Sequence, residues 1–130
     1  MGKEVINTSN APAAVGPYSQ GVSAGNLIFV SGQLPMAPGG DLITGDTASA
    51  TARCLDNVSA VLAAAGASMS DVVKVTVFLA DMNDFSAMNE VYKKYFTEPF
   101  PARAAVAVKT LPKNAPLEIE AIAFRSSELV

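Results

Sequence analysis

The chain of 130 residues has no histidine, no tryptophan and a single cysteine, Cys54. Without histidine, neither a Ser-His-Asp nor a Cys-His catalytic unit can form, and histidine-rich metal sites are excluded. One thiol cannot close a disulfide within the chain or build a cysteine zinc cluster. We therefore expect no metal and no organic cofactor, and a free thiol is typical of a reducing compartment such as the cytoplasm.

Charged residues are also scarce, at 16% of the chain, and the net charge is −3. Nucleic-acid binding depends on clustered cations that neutralise phosphates, and the sequence contains no run of Lys or Arg. No apolar stretch is long enough to span a membrane, and residues 1–4 lack the apolar region of a secretion signal. We therefore expect a cytoplasmic protein with no membrane and no nucleic-acid partner.

Hydrophobic residues make up 50% of the sequence, and the mean hydropathy is +0.30. The length suits one domain, so residues 1–130 are predicted to form a single domain without linkers or repeats. A positive mean hydropathy is high for a small monomer. It favours burial of apolar surface between subunits.

Hydrophobic periodicity and turn residues predict six strands and two helices. Leu55, Val58 and Leu62 form one apolar stripe of the first helix, and Gly66 is its natural stop. The second helix carries a stripe of Phe85, Met88, Tyr92 and Tyr95, with Asn83 or Asp84 as its cap. The predicted strands are 5–7, 21–24, 27–33, 72–79, 103–109 and 117–124, and the predicted helices are 47–65 and 83 or 84 to 96.

This β-β-β-α-β-α-β-β order predicts an α+β domain with one mixed sheet and both helices packed on one face. The opening and closing strand pairs are expected to be antiparallel hairpins, and the middle strand–helix–strand unit a parallel crossover. In strand 117–124, Leu117 and Ile119 share one face, whereas Glu118 and Glu120 share the other. The second face is part acidic and part apolar, which favours an interface between subunits over open water.

Arg103 and two glutamates are the candidate chemical groups. Arg103 lies among small residues, and its planar guanidinium can grip a carboxylate through two parallel bonds. Glu118 or Glu120 can take a proton from water. The pattern indicates a site for a small carboxylic acid with water as co-reactant. An ion pair of Arg103 with Glu98 or Glu120, and a solvated strand face for the glutamates, remain open, and alternation does not choose between Glu118 and Glu120.

Pairing of the last two strands as a hairpin sets a distance between these groups. With Lys109 opposite Glu118, Arg103 would lie roughly 20 Å from Glu118 along the strands. The two could not act on one small substrate within one chain. They could do so across a subunit boundary.

Five short motifs occur in order along nearly the whole chain. They are Ala-Pro-Ala-Ala-Val-Gly-Pro-Tyr-Ser-Gln-Gly at 11–21, Phe-Val-Ser-Gly-Gln at 29–33, Asn-Glu-Val-Tyr at 89–92, Phe-Pro-Ala-Arg at 100–103 and Ile-Glu-Ala at 119–121. Together they resemble the reactive intermediate deaminase family, also called the YjgF or endoribonuclease L-PSP family. The resemblance implies a chorismate-mutase-like fold and a homotrimer with clefts between subunits. It also implies hydrolysis of 2-imino or enamine acids, such as 2-aminoacrylate, 2-iminopropanoate and 2-iminobutanoate, to 2-keto acids and ammonia.

The resemblance also implies roles for individual residues. Arg103 falls where the family anchors the substrate carboxylate, Glu118 where it handles water, and Tyr18 on the loop tyrosine. The positions that line the family's cleft are Ser31, Gly32, Asn89 and Ala105. Many members carry cysteine at the position of Ala105, so a thiol role is absent there, although its backbone can still contact substrate.

Plainer roles stay open for several of these residues. Tyr18 can cap the core, Ser31-Gly32 can be a strand bulge, and Asn89 can be plain surface. At the level of function, the alternatives are a trimeric module that binds a keto acid without catalysis, a ribonuclease or translation inhibitor, and an enzyme for another carbonyl or carbamate compound.

Overall fold

The computed structural model describes residues 2–126, which form one six-stranded mixed sheet with two α-helices on one face. The predicted order β-β-β-α-β-α-β-β and the α+β class are confirmed. The elements are β1 (Lys3–Ile6), β2 (Gly21–Ala24), β3 (Leu27–Gln33), α1 (Thr47–Ala64), β4 (Val72–Leu79), α2 (Phe85–Tyr95), β5 (Ala102–Ala107) and β6 (Leu117–Phe124).

The strand order across the sheet is β1-β2-β3-β6-β4-β5. The predicted closing hairpin is therefore wrong, because β4 lies between β5 and β6, parallel to the first and antiparallel to the second. The crossover through α2 returns the chain parallel to β4 and places β5 at the edge. The loop after β5 then crosses the end of β4. The Val108 amide donates to the Leu79 carbonyl, and the Ala80 amide donates to the Pro116 carbonyl, both at 2.9 Å.

Register assigns each side chain to one of two sides of the sheet, here called the helix side and the open side. Val75 lies opposite both Arg103 and Ala121, whereas Phe78 lies opposite both Glu118 and Val106. Because successive side chains point to opposite faces, Arg103 belongs to the helix side and Glu118 to the open side. The predicted faces of β6 are confirmed: Leu117, Ile119, Ala121 and Ala123 are buried on the helix side.

The first helix covers the middle of the sheet. Its predicted stripe is confirmed, since Leu55, Val58 and Leu62 are fully buried. Its start is capped by the Asp46 carboxylate, which accepts from the Ser49 amide at 3.3 Å. Gly66 follows the helix with φ of +78°, a conformation that glycine adopts without a steric penalty.

The second helix covers the β5 end of the sheet. Met88 and Tyr92 of its predicted stripe are buried, and Phe85 and Tyr95 are partly buried against the core. It runs from Phe85 to Tyr95, one residue short of the prediction. Asp84 occupies the N-cap position as predicted, but its side chain makes no capping hydrogen bond. A 3-10 turn, Met82–Asp84, precedes the helix, and the Asp81 carboxylate accepts from the Asn83 amide at 2.9 Å.

Two buried amides hold the loops beside the open side. Gln20 is 1% exposed and accepts from the Thr8 amide, while its Nε2 donates to the carbonyls of Thr8, Ala11 and Pro12. Asn57 of α1 is fully buried, and its Nδ2 donates to the carbonyls of Leu34 and Met36. Irregular chain next to the core has backbone groups that need partners. These two side chains supply them.

We expect Gln20→Leu to lower the free energy of unfolding by about 2–4 kcal/mol, because it leaves backbone groups of the 8–12 segment unpaired in a buried place. Chemical denaturation followed by circular dichroism measures this loss. Asn10→Ala, an exposed change in the same loop, is the control and should stay within about 0.5 kcal/mol of the wild type. Equal stabilities for the two variants would contradict the role assigned to Gln20.

Candidate active site

A cavity of about 630 Å³ opens on the open side of the sheet, beside β3 and β6. Its walls come from the 12–20 loop, the 31–36 segment, the 112–113 turn and the outward side chains of β6. The cavity brings together five candidates from the sequence: Tyr18, Ser31, Gly32, Glu118 and Glu120. It has the size of a small-molecule site.

Glu118 lies against a bulge in β3. The pairing of β3 with β6 shifts register between Val30 and Gln33, which confirms the bulge reading of Ser31-Gly32. A Cβ atom on Gly32 would lie 2.7 Å from Cδ of Glu118, closer than carbon atoms pack. The absence of a side chain at Gly32 therefore makes room for the Glu118 carboxylate, and the bulge reading and the site reading hold together.

The surroundings of Glu118 alter its acidity. Burial raises the pKa of this carboxyl, and the negative charge of Glu120 raises it further. Both causes disfavour the charged form. A carboxylate with a raised pKa is a stronger base, and its proton affinity lies closer to that needed for proton transfer near neutral pH. Two features thus mark Glu118: the space that Gly32 leaves for its carboxylate and the raised pKa of that carboxyl.

The 12–20 loop places Tyr18 at the rim of the cavity. Ser31 Oγ donates to the Ser19 carbonyl at 2.6 Å, and the Ser31 amide donates to the Gln20 carbonyl at 3.0 Å. The Ser31 hydroxyl therefore holds the loop next to Tyr18. Tyr18 itself is 53% exposed, so it does not cap the core.

Arg103 lies on the helix side, at the edge strand β5, and is exposed. Its Nη1 donates to Asn89 Oδ1 at 2.7 Å, and its Cζ lies 4.7 Å from the ring centroid of Tyr92 and 5.5 Å from that of Phe85. All three partners belong to α2. Asn89 is therefore a hydrogen-bond partner of Arg103 and not a surface residue without contacts.

No carboxylate in the described part of the chain pairs with Arg103. Within residues 2–126, the one ion pair closer than 4.0 Å joins Lys93 to Glu90 at 3.0 Å, so the structural ion pair with Glu98 or Glu120 does not form. A guanidinium has five N–H donors, and one hydrogen bond to a side chain leaves most of them for a ligand. Arg103 is thus oriented and still able to bind an anion.

The structure separates the predicted residues into two groups. Glu118, with Tyr18, Ser31 and Gly32, lies on the open side; Arg103, with Asn89 and Ala105, lies on the helix side. Ala105 packs against the core beside Val77 of β4. The hairpin register behind the distance of roughly 20 Å is wrong, and strand spacings place the Cα atoms of Arg103 and Glu118 about 14 Å apart. Because they lie on opposite sides, one chain still does not bring them together.

Sequence reasoning missed two features of the site. Tyr92 belongs to the apolar stripe of α2 and was predicted only as a core residue, although its ring also contacts the Arg103 guanidinium. Lys113 lines the cavity with both glutamates, and its φ of +59° is followed by +56° at Asn114. Consecutive left-handed residues other than glycine are uncommon. No sequence signal marks this lysine.

Three further observations concern metals, membranes and the single thiol. Within residues 2–126, no group of three or more His, Cys, Asp or Glu side chains is placed to hold a metal ion, and no helix is long and apolar enough to cross a membrane. Burial raises the pKa of the Cys54 thiol, and the charge of Glu118 adds to this effect. A buried thiol that keeps its proton is a poor nucleophile.

Comparison with known proteins gives long matches to named relatives. The family model described as endoribonuclease L-PSP matches residues 8–125. A RutC family protein of Pyrococcus horikoshii is 55% identical over 95% of this chain and 98% of its own length. The 2-iminobutanoate/2-iminopropanoate deaminase of Escherichia coli K12 is 50% identical over 94% of this chain and 98% of its own.

A solved structure agrees with these matches. The crystal structure of E. coli TdcF with bound serine superposes with a TM-score of 0.89 at 47% identity, covering 95% of this chain and 99% of that one. Both the sequence and the architecture are thus shared over almost the full length. The chain belongs to the endoribonuclease L-PSP family, the family that its five motifs resemble.

Proposed function

We propose that this chain hydrolyses reactive 2-imino acids, such as 2-iminopropanoate and 2-iminobutanoate, to 2-keto acids and ammonia. The observation that carries the proposal is Arg103, a guanidinium oriented by Asn89 and Tyr92 without a carboxylate partner among the described residues. A relative at 50% identity carries the name 2-iminobutanoate/2-iminopropanoate deaminase. The serine bound to TdcF is itself an α-carboxylate compound, which supports the same ligand class.

In the proposed reaction, the Arg103 guanidinium binds the substrate carboxylate through two parallel hydrogen bonds. This grip orients the C2 carbon and supplies the proximity contribution to catalysis. An enamine such as 2-aminoacrylate first takes a proton at C3 to become the imine.

The Glu118 carboxylate accepts a proton from a water molecule as the water oxygen forms a bond to C2 and the C=N π electrons move to the nitrogen. The nitrogen takes this proton from Glu118, which gives the neutral carbinolamine. The carbinolamine hydroxyl then gives its proton through Glu118 to the nitrogen, the C–N bond breaks, ammonia leaves, and C2 becomes the carbonyl of the 2-keto acid. General acid–base catalysis of this kind contributes about 10²–10⁴-fold, which is enough for a reaction that also proceeds in water.

We further propose that the working unit is a homotrimer whose sites lie between subunits. The open side exposes Leu27, Phe29 and Phe124 on the adjacent strands β3 and β6, and Val106 on the edge strand β5. A patch of this kind is typical of a surface covered by another chain. Packing of the β5 edge of one copy beside the cavity of the next would bring Arg103 and Glu118 to one substrate.

The ribonuclease reading has less support. The cavity presents two glutamates and one lysine, Lys113, among the described residues that line it. A surface that binds a phosphate backbone needs several cations together. A keto-acid-binding module without catalysis uses the same Arg103, and only turnover separates it from the enzyme.

The first test is a coupled assay for turnover. An L-amino acid oxidase generates the imine from alanine or methionine, semicarbazide traps it, and the protein is scored by the fall in semicarbazone. We expect suppression by the wild type and a loss in kcat/KM on the order of 10²–10³-fold in Arg103→Ala, since two charged hydrogen bonds are lost. Lys109→Ala removes an exposed cation near the end of the same strand and should leave kcat/KM unchanged. Absence of suppression by folded wild type would favour the binding module.

The shared site is tested by mixing two inactive variants, Arg103→Ala and Glu118→Gln. In a cyclic trimer, each mixed assembly contains one site with both groups intact. Chains refolded together in equal amounts should therefore recover about a quarter of the wild-type activity. Gel filtration with light scattering supplies the mass. A monomer, or mixed trimers without recovered activity, would contradict a shared site.

The raised pKa of Glu118 predicts opposite effects of Glu118→Gln on activity and stability. The folded pKa lies above the unfolded one, so the ionised form costs stability above the folded pKa, and the cost disappears below the unfolded value of about 4.3. Glu118→Gln should lose activity yet melt at a higher temperature at pH 7, and this advantage should vanish in acid.

A companion variant separates the causes of the shift. Glu120→Gln removes the second cause of the raised pKa, the negative charge of Glu120, so the acid limb of its kcat/KM profile should move to lower pH.

A lower melting temperature of Glu118→Gln than of the wild type at pH 7 would show that the ionised carboxylate stabilises the fold, and would contradict this account.

A further inference from the structure

The Arg103 side chain rests on an aromatic surface of α2, hereafter the aromatic shelf, formed by Phe85 and Tyr92. The guanidinium carbon lies 4.7 Å from the ring centroid of Tyr92 and 5.5 Å from that of Phe85. Both distances are within the range of a cation–π contact. Asn89, which accepts the Arg103 hydrogen bond, lies between them on the same helix at spacings of four and three residues, so all three share one helix face.

The shelf is itself rigid. Tyr92 is 5% exposed, and its ring packs against that of Phe96 with centroids 4.6 Å apart and an interplanar angle of 37°. A ring enclosed in this way cannot follow the guanidinium if Arg103 moves. The guanidinium must therefore adapt to the ring.

Asn89 and Tyr92 restrict Arg103 in different ways. One hydrogen bond at Nη1, 2.7 Å long, fixes a point on the guanidinium but leaves rotation about that bond free. Contact with an aromatic face restricts the plane of the group as well. Two parallel hydrogen bonds to a carboxylate require both the position and the plane to be correct.

The Tyr92 hydroxyl does not take part in orienting Arg103. It is buried and has no hydrogen-bond partner within residues 2–126. Burial raises the pKa of Tyr92, so the phenol keeps its proton and adds no charge beside Arg103. The contact with Arg103 is made by the ring.

We infer that Tyr92 is a positioning residue, whose ring and not its hydroxyl holds the Arg103 guanidinium in the plane required to grip the substrate carboxylate. This inference rests on the proposed function for the identity of the ligand. It assigns an additional task to a residue that, from its pattern alone, belongs to the core of the helix.

The experiment compares Tyr92→Phe, Tyr92→Leu and the control Phe96→Leu. In the imine assay, Tyr92→Leu should raise KM by about 3- to 30-fold, the factor that corresponds to a cation–π contact. Tyr92→Phe keeps the ring and should stay within about twofold of the wild type in KM, with an equal or higher melting temperature because a buried unpaired hydroxyl is removed. Phe96→Leu removes a ring that packs on Tyr92 but does not face Arg103, so it should lower the melting temperature and raise KM by clearly less than Tyr92→Leu does.

The same change made in the Arg103→Lys variant tests whether Tyr92 acts through Arg103. Lysine lacks the planar fork, so in Arg103→Lys the further change Tyr92→Leu should alter KM by less than about twofold. Binding of 2-ketobutyrate, measured by calorimetry on the same proteins, repeats the comparison without turnover.

Three results would overturn the inference. A KM raised as much in Tyr92→Phe as in Tyr92→Leu would assign the role to the hydroxyl. A normal KM in Tyr92→Leu, or an equal increase in KM in Phe96→Leu, would show that the Tyr92 ring does not position Arg103. Failure of the proposed function looks different. It appears as wild-type protein that does not consume the imine, while the dependence of 2-ketobutyrate binding on Tyr92 is still measurable.

Discussion

The register of β4 between its two neighbours is the constraint on which the site depends. Arg103 lies opposite Val75 and Glu118 lies opposite Phe78, three residues further along the same strand. Because side chains alternate, an odd separation along β4 places the two groups on opposite sides of the sheet. A slip of either neighbour by one residue would reverse its side chains and bury a charge where the core now is. The buried residues of β4 and β6 therefore maintain the separation of Arg103 from Glu118.

This separation has a chemical consequence. A guanidinium beside Glu118 would lower the pKa of the carboxyl and make it a weaker base. The same pairing would occupy the donors of Arg103. With the groups apart, burial and Glu120 raise the pKa of Glu118, and Arg103 keeps most of its donors free. Under the proposed assembly, the substrate would lie between Arg103 of one copy and Glu118 of the next, so that its carboxylate pairs with the cation and the water is left to the base.

Local pattern was sufficient for most of the fold. The stripes of both helices, the stop at Gly66 and the two faces of β6 follow from periodicity and backbone conformation within a few residues. The prediction of a closing hairpin was wrong because β5 and β6 are close in sequence, whereas the strand that each of them actually pairs with, β4, lies further back along the chain. No residue pattern in the 108–116 loop indicates that the loop crosses the end of another strand. Alternation could not choose between Glu118 and Glu120 because both share a face, and the choice of Glu118 came from the resemblance alone. The space that Gly32 leaves for Glu118 depends on the pairing of β3 with β6, which local pattern does not show.

Departures from the most stable local arrangement gather around the two halves of the site. Glu118 is a carboxylate whose charged form is disfavoured, and Lys113 and Asn114 adopt left-handed backbone conformations. The Tyr92 hydroxyl is buried without a hydrogen-bond partner in the part of the chain that the structure describes. Each feature costs free energy, and such costs tend to persist in proteins where function requires the group. Their location beside the cavity and beside Arg103 supports the proposal that these two places are parts of one functional site.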